Sequence, residues 1–213
     1  FTYAEVISGY TSFYLGAKSV CPSVTMEVKY TNSWASIDLE KEAAESLIAD
    51  GCVLISQHAD TTGASTACEK AGVPIVGYNV SMIATAPTQA LTSASIDWGP
   101  YYTYAVKSVI DGTKIDTDWC KGYDDGADKI TELNDKAIAK GTKEKVKEVE
   151  DALADGSLHV FDTSTFTVDG KELDSWKDDN GNEYIKDGYF HESELHSAPA
   201  FAINIDGIES VEK

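Results

Sequence analysis

Arginine is absent from these 213 residues; all 17 bases are lysine. Without a guanidinium fork the chain has no bidentate clamp for phosphate or carboxylate. A phosphorylated ligand would have to rely on lysine or on a helix N-terminus. Positive charge is scarce altogether: 36 acids leave a net charge of -19. That excludes a nucleic-acid surface, which needs a basic footprint. No apolar run reaches the roughly 20 residues that cross a bilayer as a helix. Cysteine is limited to Cys21, Cys52, Cys68 and Cys120, none spaced CxxC, so a zinc or thioredoxin-type motif has no support. A chain of this length buries a core without disulfide staples, and four separate buried thiols are expected. Catalytic signatures are missing too: there is no GxSxG, HExxH, P-loop, or GxGxxG after a strand. The expectation is no metal and no cofactor.

What is present is ordinary globular composition, 42% apolar and 25% charged. The length suits one domain or one and a half. Residues 1–20 carry an apolar stripe at helical spacing (Ala4, Ile7, Tyr14, Leu15, Ala17), ended by Pro22. Residues 24–30 alternate like a half-buried strand. Ser36 or Asp38 caps a helix over 39–49, which ends at Asp50-Gly51. Cys52-Val53-Leu54-Ile55-Ser56 reads as a strand buried on both faces. A helix over 64–70 stops at Gly72, and residues 73–78 form another buried strand. This alternation predicts a doubly wound parallel α/β sheet. It opens on a helix, as if a preceding strand lay upstream, and Phe1 is not an initiator Met.

Residues 80–90 read as a linker and 91–96 as a strand. Pro100 opens a helix over 101–110, closed by Asp111-Gly112. A polar loop covers 116–125, a charged helix 143–154, and a short strand 158–161. Beyond these, Asp169-Gly170 and Asn180-Gly181 signal hairpins. His191 and His196, with Glu192 and Glu194, are expected to lie in a solvated loop rather than to bind metal. The 178–183 run is expected to be an Asn-Gly hairpin, because its glycine is misplaced for a calcium loop.

In an open parallel α/β sheet, ligands sit beyond the carboxyl ends of the strands. Those ends carry Asn32 and Trp34; Gln57, His58 and Asp60; Tyr78 and Asn79; and Asp97 and Trp98. Together they suit a planar ligand, with an aromatic ring stacked on its face and amides and carboxylates reading its edge. A nucleoside hydrolase using Asp60 and His58, and a ligand-sensing module without transport, are alternatives that fold alone does not separate.

Gly9-Tyr10, residues 16–20, Tyr30-Thr31-Asn32-Ser33-Trp34, Lys41-Glu42-Ala43-Ala44, Gln57-His58-Ala59-Asp60 and Gly77-Tyr78-Asn79 resemble the basic membrane protein (Bmp, PnrA-like) family. Its members are substrate-binding lipoproteins of ABC importers for purine nucleosides and bases. The resemblance runs from Phe1 to about Phe161. It implies a type I periplasmic-binding-protein fold, mainly the C-terminal lobe. Residues 1–83 would be the ligand-binding lobe without its first strand. Residues 84–112 would be the hinge crossing and a segment packed on an N-terminal lobe outside this sequence. Residues 113–213 would return to the C-terminal lobe, with a hairpin-rich tail from about 162.

The resemblance also implies a permease and an ATPase as partners, and membrane attachment only through a lipid anchor upstream. By it, Trp34 stands where a family aromatic stacks on the purine. Asn79 replaces a ribose-holding Asp, and Asp124 replaces a Lys in Gly122-Tyr123-Asp124-Asp125-Gly126. These departures favour a base over a nucleoside. With half the cleft wall outside the sequence, residues 1–213 are expected to bind weakly on their own.

Overall fold

A computed structural model of the chain describes residues 1–211. Its elements are α1 (Ala4–Val20), β1 (Met26–Val28), α2 (Ile37–Ala49), β2 (Ile55–Ser56), α3 (Gly63–Ala71), β3 (Ile75–Tyr78), β4 (Ala90–Ile96), α4 (Gly99–Asp111), β5 (Asp128–Ile130), α5 (Thr142–Ala154), β6 (Ile185–Lys186), β7 (Tyr189–Phe190) and β8 (Ile208–Ser210). They sort into two compact units. One is Phe1–Trp34 with the stretch from His159 onward, and the other is Ala35–Leu158.

The second unit holds the larger sheet, in the order β2-β3-β4-β5. The first three strands are parallel and β5 runs antiparallel to β4. Helices α2 and α3 supply a small-residue core: Ala44, Ala64, Ala67 and Cys68 pack with Ile55, Ile75, Met82, Ala86 and Ala90. Small side chains let backbones approach closely. A Cβ at Gly63 would stand 2.2 Å from the Ile37 carbonyl oxygen, so the heads of α2 and α3 meet only because this residue is glycine. Ser36 caps α2 by accepting the Leu39 N–H at 3.4 Å. Pro100 pre-sets the first turn of α4, and Gly112 ends it in the left-handed conformation.

In the first unit, α1 buries Tyr14 and Leu15 against Phe161, Phe166, Tyr184, Phe190, Phe201, Ile203 and Ile205. Phe161 and Phe201 stack at 4.1 Å. Strand β1 pairs in parallel with β8. Gly207 precedes β8 at φ +91°, and a Cβ there would lie 2.1 Å from the Tyr14 hydroxyl.

The α/β reading with parallel strands is what the chain adopts, but several expected elements differ. The 52–56 strand contracts to Ile55–Ser56. The Cys52 N–H is tied to Leu47 O, so the ladder starts only where the Ile55 N–H meets Pro74 O. Val53 is consequently 81% exposed rather than buried. The 24–30 strand contracts to three residues and pairs with β8, outside the larger sheet. No strand forms over 158–161. Leu158 and Val160 stay exposed while Phe161 is buried by ring packing, and Asp162 makes an isolated bridge to Tyr189. None of the cysteines forms a disulfide, but only Cys68 is buried; burial pushes its thiol up to about 11. Cys21 and Cys120 lie on exposed connections outside the helices and strands.

The hairpin signals hold. Val168 bridges Lys171 around Asp169-Gly170, and Lys177 bridges Glu183 around the Asn180-Gly181 turn. The composition pattern missed β5 and the tight β6–β7 hairpin, whose turn residues Asp187 and Gly188 both have positive φ.

Candidate functional site

Two strand ends of the larger sheet come together in the second unit. The loop after β2 is built by its own side chains. Gln57 Nε2 donates to the Ala59 and Thr61 carbonyls, both at 2.9 Å, and its Oε1 accepts from the buried Ser65 hydroxyl at 3.4 Å. The amide of Gln57 is therefore occupied in shaping the loop that carries His58 and Asp60. Thr61 Oγ1 accepts the Gly63 N–H, and Glu40 Oε2 accepts the Thr61 N–H at 3.2 Å.

At the end of β3, Asn79 turns the chain away at φ +62°, a left-handed conformation that asparagine tolerates and most side chains do not. Its N–H donates to Ala94 O at 2.7 Å, and its carbonyl accepts from Ser95 Oγ at 2.7 Å. With the backbone fixed, Asn79 Nδ2 donates to Asp60 Oδ1 at 3.1 Å. Beside the pair, the His58 and Tyr78 rings lie 4.5 Å apart at 30°. Asp60 and Asn79 are exposed, and Asp60 Oδ2 and Asn79 Oδ1 have no donor among the described residues. One of the two Asn79 amide N–H groups is spent on Asp60, so the exposed pair retains Asp60 Oδ2 and Asn79 Oδ1 as acceptors and one N–H as a donor.

The other candidates have different surroundings. Asp97 Oδ1 accepts the Gly99 N–H at 2.8 Å, and Oδ2 meets Lys129 Nζ at 2.8 Å. Lys129 first, then the Gly99 N–H, hold its carboxyl below the ordinary range. It thereby fixes the start of α4. Trp98 is 55% exposed and joins Tyr101 and Tyr102 in an aromatic cluster. Asp124 is exposed in the 3-10 turn Tyr123–Asp125.

In the first unit, Asn32 is exposed at φ +52°. Trp34 is 36% exposed, with Phe1 at 4.9 Å and Tyr3 at 6.1 Å between ring centroids. Phe1 and Tyr3 escaped the sequence reading, although both sit ahead of the apolar stripe of α1 and have no place in its core. Among the described residues no three His, Cys, Asp or Glu side chains are grouped to hold a metal. His191 pairs with Glu194 at 2.9 Å, and the Asp178 turn is filled by its own Asn180 and Asn182 N–H groups.

Residues 1–157 match the model of the PnrA-like substrate-binding proteins of ABC transporters, Bmp. The chain belongs to the Bmp family. Among its relatives, a purine-binding protein of Brucella abortus is 34% identical over 168 residues, covering 79% of this chain and 47% of that protein. A putative ABC transporter glucose-binding protein of Haloferax volcanii is 30% identical over 174 residues, covering 81% and 44%. A solved solute-binding protein of an ABC transporter system from Conexibacter woesei superposes with a TM-score of 0.54 at 23% identity, over 68% of this chain and 49% of that one. This Bmp-family chain thus spans about half the length of the relatives it matches. The family consists of substrate-binding components, which act outside the cytoplasm. Among the described residues no helix is long and apolar enough to cross a membrane.

Proposed function

We propose that this Bmp-family chain is the capture component of an importer for a purine base or nucleoside, binding without turnover. The observation that carries it is the Asp60–Asn79 pair beside the His58 and Tyr78 rings. An exposed pair that keeps two acceptor oxygens and one amide N–H, flanked in the chain by two aromatic rings, suits a planar ligand with polar groups on its edge. The relative from Brucella abortus, named for purine binding, supports the same class. Within the same unit, Asp124 is retained as a secondary contact. In this reading the partners are a permease and an ATPase, and the protein is held at the outer face of the membrane by a lipid.

The test is a titration of the isotope-labelled chain with adenine, adenosine and glucose, followed residue by residue by NMR. Adenine or adenosine is expected to shift the Asp60 and Asn79 resonances, with glucose silent. Asp60→Ala should weaken the interaction by at least about tenfold, the weight of a good charged contact, with the far-UV spectrum unchanged. Shifts confined to glucose would move the reading to sugars, as the Haloferax volcanii relative is named. Release of free base from adenosine would make the chain a hydrolase.

The same proposal assigns α4. Trp98, Tyr102, Val106, Val109 and Ile110 form one stripe, each more than half exposed, and only Ser108 of this helix is buried. A stripe of that size on a thirteen-residue helix suits burial against another layer. Relatives twice as long as the matched stretch supply an occupant, the second α/β lobe of a longer chain.

A further inference from the structure

Glu40 is a carboxylate in the wrong place for stability. It lies on α2 one turn before Ala44, inside the apolar stripe, and is 3% exposed. One oxygen accepts the Thr61 N–H; the other, Oε1, is buried with no hydrogen-bond partner among the described residues. A buried acceptor left unmade costs free energy that an apolar side chain of equal size would not. Local rules broken in this manner mark places kept for function.

The bond Glu40 does make is to the loop of the candidate site. Thr61 follows Asp60 directly. Gln57 grips the Thr61 carbonyl from one side, and Glu40 grips its N–H from the other. The peptide units flanking Thr61 are thereby fixed, and with them the direction of Asp60 toward Asn79. The close seating of Gly63 on Ile37 O keeps the heads of α2 and α3 together, so the carboxylate reaches the loop without moving its helix.

We propose that Glu40 is a positioning residue of the ligand site: it holds the 57–62 loop so that Asp60 and Asn79 form one hydrogen-bonded pair. This rests on the reading of that pair as the ligand-binding edge. Leucine fills the space of Glu40 and removes the orphan oxygen, so E40L should keep or raise Tm while freeing the loop. Glutamine keeps an acceptor for Thr61 but buries an amide without partners, so E40Q should lower Tm while the loop stays in place.

Two readouts decide. In wild type and E40Q, the Thr61 amide should exchange slowly and one Asn79 side-chain N–H resonance should be that of a hydrogen-bonded group. In E40L, Thr61 exchange should rise at least tenfold, the Asn79 resonances should move to their solvent-exposed position, and the adenosine-induced shifts should need at least fivefold more ligand. E40M, flexible enough to fill the same space, replaces E40L if that variant does not fold. Wild-type exchange at Thr61 and unmoved Asn79 resonances in the apolar variant would overturn the proposal. If those signals respond but wild type binds neither adenine nor adenosine, the ligand reading falls and the positioning role stands.

Discussion

Which atoms of a polar side chain remain available is a question the sequence could not answer. It placed Gln57, Asp60, Asn79 and Asp97 at strand ends, and the structure puts them there. Yet Gln57 and Asp97 spend their groups on the loop and on the start of α4, while Asp60 and Asn79 each keep an oxygen without a donor among the described residues. Glu183 shows the same principle away from the site. The Ser175 hydroxyl, then the Ile185 and Trp176 N–H groups, bond its carboxylate and pull it down to about 2. A folded-state value below the unfolded one means that this carboxylate stabilises fully above its ordinary titration near pH 4.5 and stops doing so as the pH falls toward 2. Glu183→Gln should therefore lower Tm at pH 6, with the gap to wild type closing by pH 2. Thermal melts at half-unit steps would check this, and a gap constant with pH would remove the carboxylate's charge from the account.

Helices were more legible than strands. A helix makes its bonds within one segment, so the stripe of α1 and the Gly72 and Gly112 stops could be read locally. A strand exists only where a partner bonds it, so the apolar run at 52–56 said nothing of the Leu47 and Pro74 carbonyls that decide where β2 begins. Helix α4 was readable as a helix, but its stripe faces outward. Val106→Glu with Ile110→Glu should change the stability of this chain by less than about 0.5 kcal/mol, the usual surface value, and reduce its binding of a hydrophobic dye. In a longer family chain the same pair should destabilise by several times that amount. A large loss of Tm in residues 1–213 would show that the stripe is already covered within them.

Across the molecule, the division into units cuts through the stretch that matches the family. Residues 1–34 match Bmp, but seven of the nine buried residues in the cluster around Tyr14 and Leu15 lie beyond residue 157, where the match ends. Strand β8, the partner of β1, also comes from there. Removing residues 159–213 should leave α1 and β1 without a core. Amide exchange across residues 1–34 should become fast, while α2, α3 and the four-stranded sheet keep their protection. Retained protection in α1 would show that another surface covers Tyr14 and Leu15.

Composition and short-range order were enough for the α/β class, the helix ends and the list of polar strand-end residues, because these follow from local periodicity, charge and turn chemistry; the family came from the resemblance of ordered motifs. The pairing of β1 with β8, the joining of the two chain ends in one core, and the choice of Asp60 and Asn79 over Gln57 came from contacts between residues far apart in the chain. Such contacts form only where the folded backbone brings groups within bonding distance, and no local pattern records that distance.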